Sequence, residues 1–291
     1  AAAGLGIDVI IGGHSHTLLP EGEWVDGVLI AQTGQYAENL GRVDLVIDTE
    51  TGAVLSKSAV VIPIPADTQP DPAVLAAIQS AETEARELLD KPIVEITERL
   101  GLDHFAECAI ANLGADALLD RMHAEVALLT SGLFNQPLEA GTLTLGALDA
   151  ACFTTANPQL SLVRGEQLLA GLEHGLDPDF MQQRLKMFRG APVGMPVIAG
   201  MVVEYAPSAE TGQRVRRAWV QGQALEPQRL YRIAHTDAEV HRENSEYGYL
   251  DLDEGQVLKV EVPTILREAI EDYMRAHAPV RCPPSDRWIP V

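Results

Sequence analysis

Apolar positions along this chain come in short runs, separated by polar stretches rich in glycine and proline, and their spacing switches repeatedly between a period of two and a helical period. The first run, Ile7-Asp8-Val9-Ile10-Ile11, is β-branched and predicts a buried strand ending at Gly12-Gly13. A second short strand is expected over 28–31. Two longer ones, over 42–48 and 54–62, flank Thr49-Glu50-Thr51-Gly52, a hairpin signal. Pro63, Pro65, Pro70 and Pro72 then crowd a polar linker. Asp71-Pro72 opens a helix to about residue 90, with Val74, Leu75, Ile78, Ala81, Ala85, Leu88 and Leu89 near one face.

From about residue 92 strands and helices interleave. Strands are expected over 93–100, 125–130, 159–163, 201–205, 214–220, 231–234 and 257–262, and helices over 105–122, 145–151, 166–174 and 263–277. The Gly-, Pro- and Met-rich stretch 188–200 reads as an irregular loop. The fold class is therefore α/β (α+β) with a mixed sheet, in an order of 1–65, a linker and connecting helix at 66–91, and a second domain over 92–291. No glycine fingerprint of a dinucleotide or phosphate-cradling site interrupts it.

The chemistry-bearing stretch is Gly12-Gly13-His14-Ser15-His16-Thr17. On an extended chain leaving a strand, His14 and His16 would fall on one side, with two glycines allowing close backbone approach. Neutral imidazole is the commonest transition-metal ligand, although two solvated surface histidines would read the same way in isolation. The formal charge of −21, from 42 acidic against 21 basic residues, disfavours nucleic acid polymers and anionic membranes as partners. No window approaches the ~18 uninterrupted apolar residues of a membrane span. Three scattered cysteines, Cys108, Cys152 and Cys282, form neither a disulfide framework nor a metal-ligand spacing.

The histidine stretch resembles the last metal-binding signature of the 5'-nucleotidase-type calcineurin-like metallophosphatases. Gln32-Thr33-Gly34-Gln35-Tyr36 and Leu40-Gly41-Arg42-Val43-Asp44-Leu45 are similar to that family's closing strands, and Asn112-Leu113-Gly114-Ala115-Asp116-Ala117 and Gly165-Glu166-Gln167-Leu168 resemble landmarks of its C-terminal domain. The resemblance implies that residues 1–65 are the last strands of a metallophosphatase β-sandwich and 92–291 the 5'-nucleotidase-type C-terminal, substrate-binding domain. It implies two divalent metal ions (Mn, Zn, Fe or Co), with His14 and His16 among their ligands. The family's other ligands come from an Asp-x-His, a Gly-Asp and a Gly-Asn-His upstream of this element, so the expectation is a catalytic-domain tail that needs a further N-terminal metallophosphatase segment and is inactive alone. Many relatives are exported, which favours a periplasmic or extracellular compartment over a cytoplasmic one.

The resemblance also places the substrate elements, and each departs from the family pattern. Where the family has Asn-Gly-Gly-Gly-Ile-Arg, this chain has Thr130-Ser131-Gly132-Leu133-Phe134-Asn135, which retains one glycine and replaces the Arg by Asn135. Phe153 and Asn157 stand for a Pro-Phe-Gly-Asn segment, or are a core aromatic and a turn residue. Of two aromatics that would sandwich a base, the first is Ala238; Tyr249 takes the second place with Tyr247 beside it, and both are equally explained as strand residues. The substrate implied is a nucleotide or a related phosphomonoester or cyclic phosphodiester, met by Asn135, Phe153, Tyr247 and Tyr249. The alternatives are a non-catalytic binding or dimerisation module, as a homodimer, with a degenerate nucleotide pocket, and a sulfur-ester hydrolase of the same superfamily.

Overall fold

The structure is a computed structural model that describes residues 3–184, 190–241 and 248–291. Its contacts divide the chain into two compact units, Ala1–Ser80 and Ala81–Val291. The division falls inside a helix that the proline-rich linker leads into.

In the first unit β1 (Val9–Ile11) runs parallel to β3 (Val28–Ala31), and β2 (Glu23–Val25) pairs with β3 antiparallel. β4 (Asn39–Ile47) and β5 (Val54–Pro63) form the hairpin that Thr49-Glu50-Thr51-Gly52 signals. Its turn is held locally: the Asp48 carboxylate accepts from the backbone N–H groups of Glu50 and Thr51, and Gly52 takes a φ of +74°. Apolar side chains on both faces of this ribbon, including Leu40, Leu45, Val46 and Leu55, are exposed. Helix α1 (Pro72–Leu89) begins where Asp71 accepts from the N–H groups of Ala73 and Val74. None of its residues is buried, so its apolar stripe lies at the surface.

The second unit continues in chain order. It contains β6 (Pro92–Ile96), α2 (Ala109–Met122), β7 (Val126–Thr130), β8 (Gly141–Thr144), α3 (Leu145–Ala151), β9 (Pro158–Arg164), α4 (Gly165–Gly175) and α5 (Pro178–Gln182). Then come β10 (Pro196–Ala199), β11 (Met201–Tyr205), β12 (Val215–Val220), β13 (Gln223–Ala224), β14 (Leu230–Thr236), β15 (Val240–His241) and β16 (Leu250–Asp251). The chain closes with β17 (Val257–Val260), α6 (Leu266–Ala276) and β18 (Trp288–Pro290). The central sheet has the order β10-β7-β14-β9-β17 and is mixed: β7 and β14 are parallel, the other pairs antiparallel. A four-stranded sheet, β13-β12-β11-β18, is also mixed. Every residue of β7 is buried, as its continuous apolar run requires.

Helix α2 packs on the central sheet and on α6. Its small residues have a specific job: a Cβ added to Gly114 would lie 2.4 Å from the ring of Phe134, a fully buried side chain. The helix starts at Ala109, four residues later than its apolar pattern indicates. Asp103 ties up the Phe105 N–H and the Glu107 carboxylate turns to the N–H groups of Arg287 and Trp288, which holds the preceding segment out of the helix. The expected irregular loop over 188–200 contains β10, an edge strand whose opening proline and small residues hide it from pattern reading. Helix α6 likewise begins at Leu266, after the cis Val262-Pro263 bond, and not at Pro263.

Candidate functional site

The histidine loop leaves β1 with its register intact, since the Gly12 N–H donates to Ala31 O at 2.8 Å. It then folds back along the segment after β3. Leu19 N–H donates to Gln32 O and Gly34 N–H to Thr17 O, and Leu18 bridges Thr33. His14 is exposed and His16 half-buried. Both stand in left-handed backbone conformations, at φ +65° and +56°, a region uncommon for residues with a Cβ. Extended-chain alternation therefore does not describe this loop. The His16 ring meets Tyr36 edge-on, 5.7 Å between centroids. Behind the loop lies a small cavity of about 150 Å³, walled by Ile11, Leu19, Thr33, Val43 and Val61 among others.

Gln32, at the end of β3 and 8% exposed, faces the loop from inside. In the carboxamide orientation that satisfies the network, its oxygen accepts from the Thr17 N–H at 2.8 Å, the Ser15 hydroxyl at 2.9 Å and the His16 N–H at 3.2 Å. Gly12 makes room for it, because a Cβ there would lie 2.5 Å from the Gln32 carboxamide. Imidazole donors suit a transition ion. Among the described residues, however, no group of three or more His, Cys, Asp or Glu side chains could hold a metal, so the two histidines fit a metal centre only as part of a larger donor set.

In the second unit the substrate-element residues are placed differently from one another. Residues 131–133, after β7, are buried in a 3-10 turn, and Asn135 follows half-buried with its N–H donating to Ala151 O. Phe153 is 43% exposed. Asn157 acts as a fastener: its side chain donates to Thr264 O, and its N–H donates to the Asp237 carboxylate. Tyr249 is 5% exposed, its hydroxyl donates to Leu129 O at 2.6 Å, and Phe180 meets its ring edge-on. Its ring thus lies in the core in this arrangement. Tyr247 lies outside the described residues.

Sequence reading missed the most unusual group nearby. Glu239 is completely buried, and its carboxylate joins the ends of the parallel strands β7 and β14. It accepts from Thr130 N–H at 2.9 Å, Thr236 N–H at 2.7 Å and the Thr236 hydroxyl at 2.6 Å. Burial pushes its pKa from 4.5 up to about 7, against the lowering effect of the Thr236 and Thr130 hydrogen bonds. Ser161 and His235, on neighbouring strands, are 2.8 Å apart at the serine hydroxyl and Nε2; both are completely buried, so the pair fastens the sheet and meets no solvent.

The landmark residues of this unit are structural. Asn112 donates to Glu107 and to Pro284 O, and Asp116 pairs with Arg287 at 2.7 Å. Arg287 also donates to Ile198 O, so α2, β10 and the C-terminal strand share one buried polar knot. Gln167 caps α4 by accepting from the Arg164 N–H.

The family model for the 5'-nucleotidase C-terminal domain matches residues 92–242. YunD of Bacillus subtilis (strain 168), named as an uncharacterized metallophosphoesterase, is 30% identical over 233 residues, covering 79% of this chain and 50% of YunD. A putative 5'-nucleotidase from Staphylococcus aureus, solved with alpha-ketoglutarate, superposes with a TM-score of 0.70 at 18% identity, over 99% of this chain and 57% of that one. A 5'-nucleotidase precursor from Thermus thermophilus does so with a TM-score of 0.62 at 21% identity, over 98% and 60%. At these identities the two solved structures speak for the fold alone, a mixed α/β architecture. The chain spans about half the length of YunD. No helix among the described residues is long and apolar enough to cross a membrane. On the match over residues 92–242, this chain belongs to the 5'-nucleotidase family and carries its C-terminal domain.

Proposed function

We propose that this chain is part of a metal-dependent phosphoester hydrolase acting on a nucleotide or a related small phosphoester, with His14 and His16 as metal donors. The observation that carries this reading is the loop itself. Two histidines stand on a tight turn directly after a parallel strand, held by an internal carboxamide and backed by glycine. Bound divalent ions would polarise the phosphoryl oxygens and acidify a water. The two imidazoles are too few donors for such a centre, so the remaining donors belong to further protein. The exposed apolar side chains of the β4–β5 ribbon support the same completion, since large exposed apolar surfaces mark contact regions.

The second unit supports a narrower statement about recognition. Tyr249 offers no open ring face, and the turn after β7 carries no guanidinium, so among the described substrate-element residues Phe153 and Asn135 are the ones placed to meet a substrate. A scaffolding or binding role for this unit is the second reading, and the burial of Tyr249 favours it. Turnover of a phosphoester panel with Mn²⁺ by the full-length protein tests both. Hydrolysis should fall at least about 100-fold in His14→Ala and in His16→Ala, and the 291-residue chain alone should give none. Undiminished turnover in both variants would sink the metal assignment, and no turnover on any substrate would leave the scaffolding role.

A further inference from the structure

We propose that Gln32 is a positioning residue of the histidine loop, whose side chain braces the backbone of residues 15–17 and thereby sets the conformation in which His14 and His16 are presented to metal. This rests on the reading of those histidines as metal donors. Gln32 belongs to a stretch that the family resemblance singles out but to which the proposed chemistry gives no task. Three observations converge on it.

Its carboxamide oxygen gathers the N–H groups of His16 and Thr17 and the Ser15 hydroxyl, so it touches every residue from 15 to 17. Gly12, the first residue of the turn, is small where the carboxamide passes. Both histidines occupy left-handed conformations that a free loop of non-glycine residues would leave. A buried acceptor directly after the neighbouring strand β3 supplies what the loop lacks. The Ser15 hydroxyl, also 2.9 Å from the Thr17 hydroxyl, extends the brace across the turn. Gln32 does not itself serve as a donor to the metal in this account, because its oxygen already accepts three hydrogen bonds.

The test compares the full-length protein, which carries the remaining donors, with its Gln32→Met variant, which keeps the length and removes the acceptor, and its Gln32→Glu variant, which keeps the acceptor. Two quantities are read by NMR: hydrogen exchange of the His16 and Thr17 amides, and broadening of the histidine ring signals by substoichiometric Mn²⁺. Gln32→Met should speed exchange at both amides by about tenfold, the loss expected for a buried hydrogen bond. It should also weaken the Mn²⁺ response of His14 and His16 by a similar factor, leaving the other histidines unchanged. Gln32→Glu should restore both readings. If the wild-type imidazoles ignore Mn²⁺, the metal reading falls and the positioning role falls with it. If they respond, and Gln32→Met responds identically or exchanges no faster, the positioning role alone is overturned.

Discussion

Glu239 makes a testable case of burial against hydrogen bonding. Its carboxylate has three donors at 2.6–2.9 Å, which by themselves would favour ionisation, yet it has no exposed surface and its pKa rises from 4.5 to about 7. Desolvation wins. The folded-state value lies above the unfolded one, so the folded state binds the proton more tightly. The stabilisation is therefore fully present below pH 4.5 and is lost as pH rises to about 7. A gap of about 2.5 pK units, at about 1.36 kcal/mol per unit, corresponds to about 3 kcal/mol of stability lost across that window.

The assay is urea unfolding from pH 4.5 to 8 of the wild type and Glu239→Gln, in a Trp24→Phe background. The remaining tryptophans, Trp219 and Trp288, then both report on the unit that contains Glu239. The Gln variant turns an amide NH₂ toward one set of donors and carries a penalty of its own, but that penalty does not vary with pH. The difference between the two proteins should shrink by about 3 kcal/mol between pH 4.5 and 7. A difference that stays flat across the window would mean that the three donors at least offset burial, and that Glu239 is an ordinary carboxylate in an anion cradle.

Two further perturbations test the packing of the second unit. Gly114→Ala places a methyl 2.4 Å from the ring of the fully buried Phe134 and should cost about 1–3 kcal/mol in urea unfolding; a neutral result would show that α2 or the ring can shift. Arg287→Met strips Asp116 of its cation and leaves the Ile198 carbonyl without this donor, for a loss of about 2–3 kcal/mol seen as a lower melting temperature, whereas Arg287→Lys should recover part of it.

What the sequence made legible is what local chemistry decides. The hairpin turn after β4 announces itself because Asp48 and Gly52 satisfy it without help from elsewhere, and α1 because Asp71-Pro72 caps it. Elements decided by distant partners were hidden. β10 is a strand only because β7 offers it a ladder, and the start of α2 is set by Arg287, 180 residues beyond Glu107. Glu239 sits in Asp237-Ala238-Glu239, which reads as solvated surface until the strand ends close over it. The histidine loop was found from its residues, but its left-handed geometry depends on a glutamine from another strand.

The same distinction bears on how function is divided along the chain. The residues that carry the family resemblance in the second unit, Asn112, Asp116 and Gln167, are occupied in a polar knot and a helix cap. They specify the domain's shape through those bonds. The positions that the family resemblance assigns to substrate are those where this chain departs from the family: it implies a guanidinium where Asn135 stands and an aromatic where Ala238 stands, and Tyr249 is bonded into the core through Leu129. On that assignment, fold and recognition fall to separate residues, and one can be kept while the other drifts. On the proposed function the chemistry falls to the first unit, to the two histidines braced by Gln32. A panel of substrates differing only in the base should therefore be turned over with similar efficiency, while removing the phosphate ester abolishes turnover.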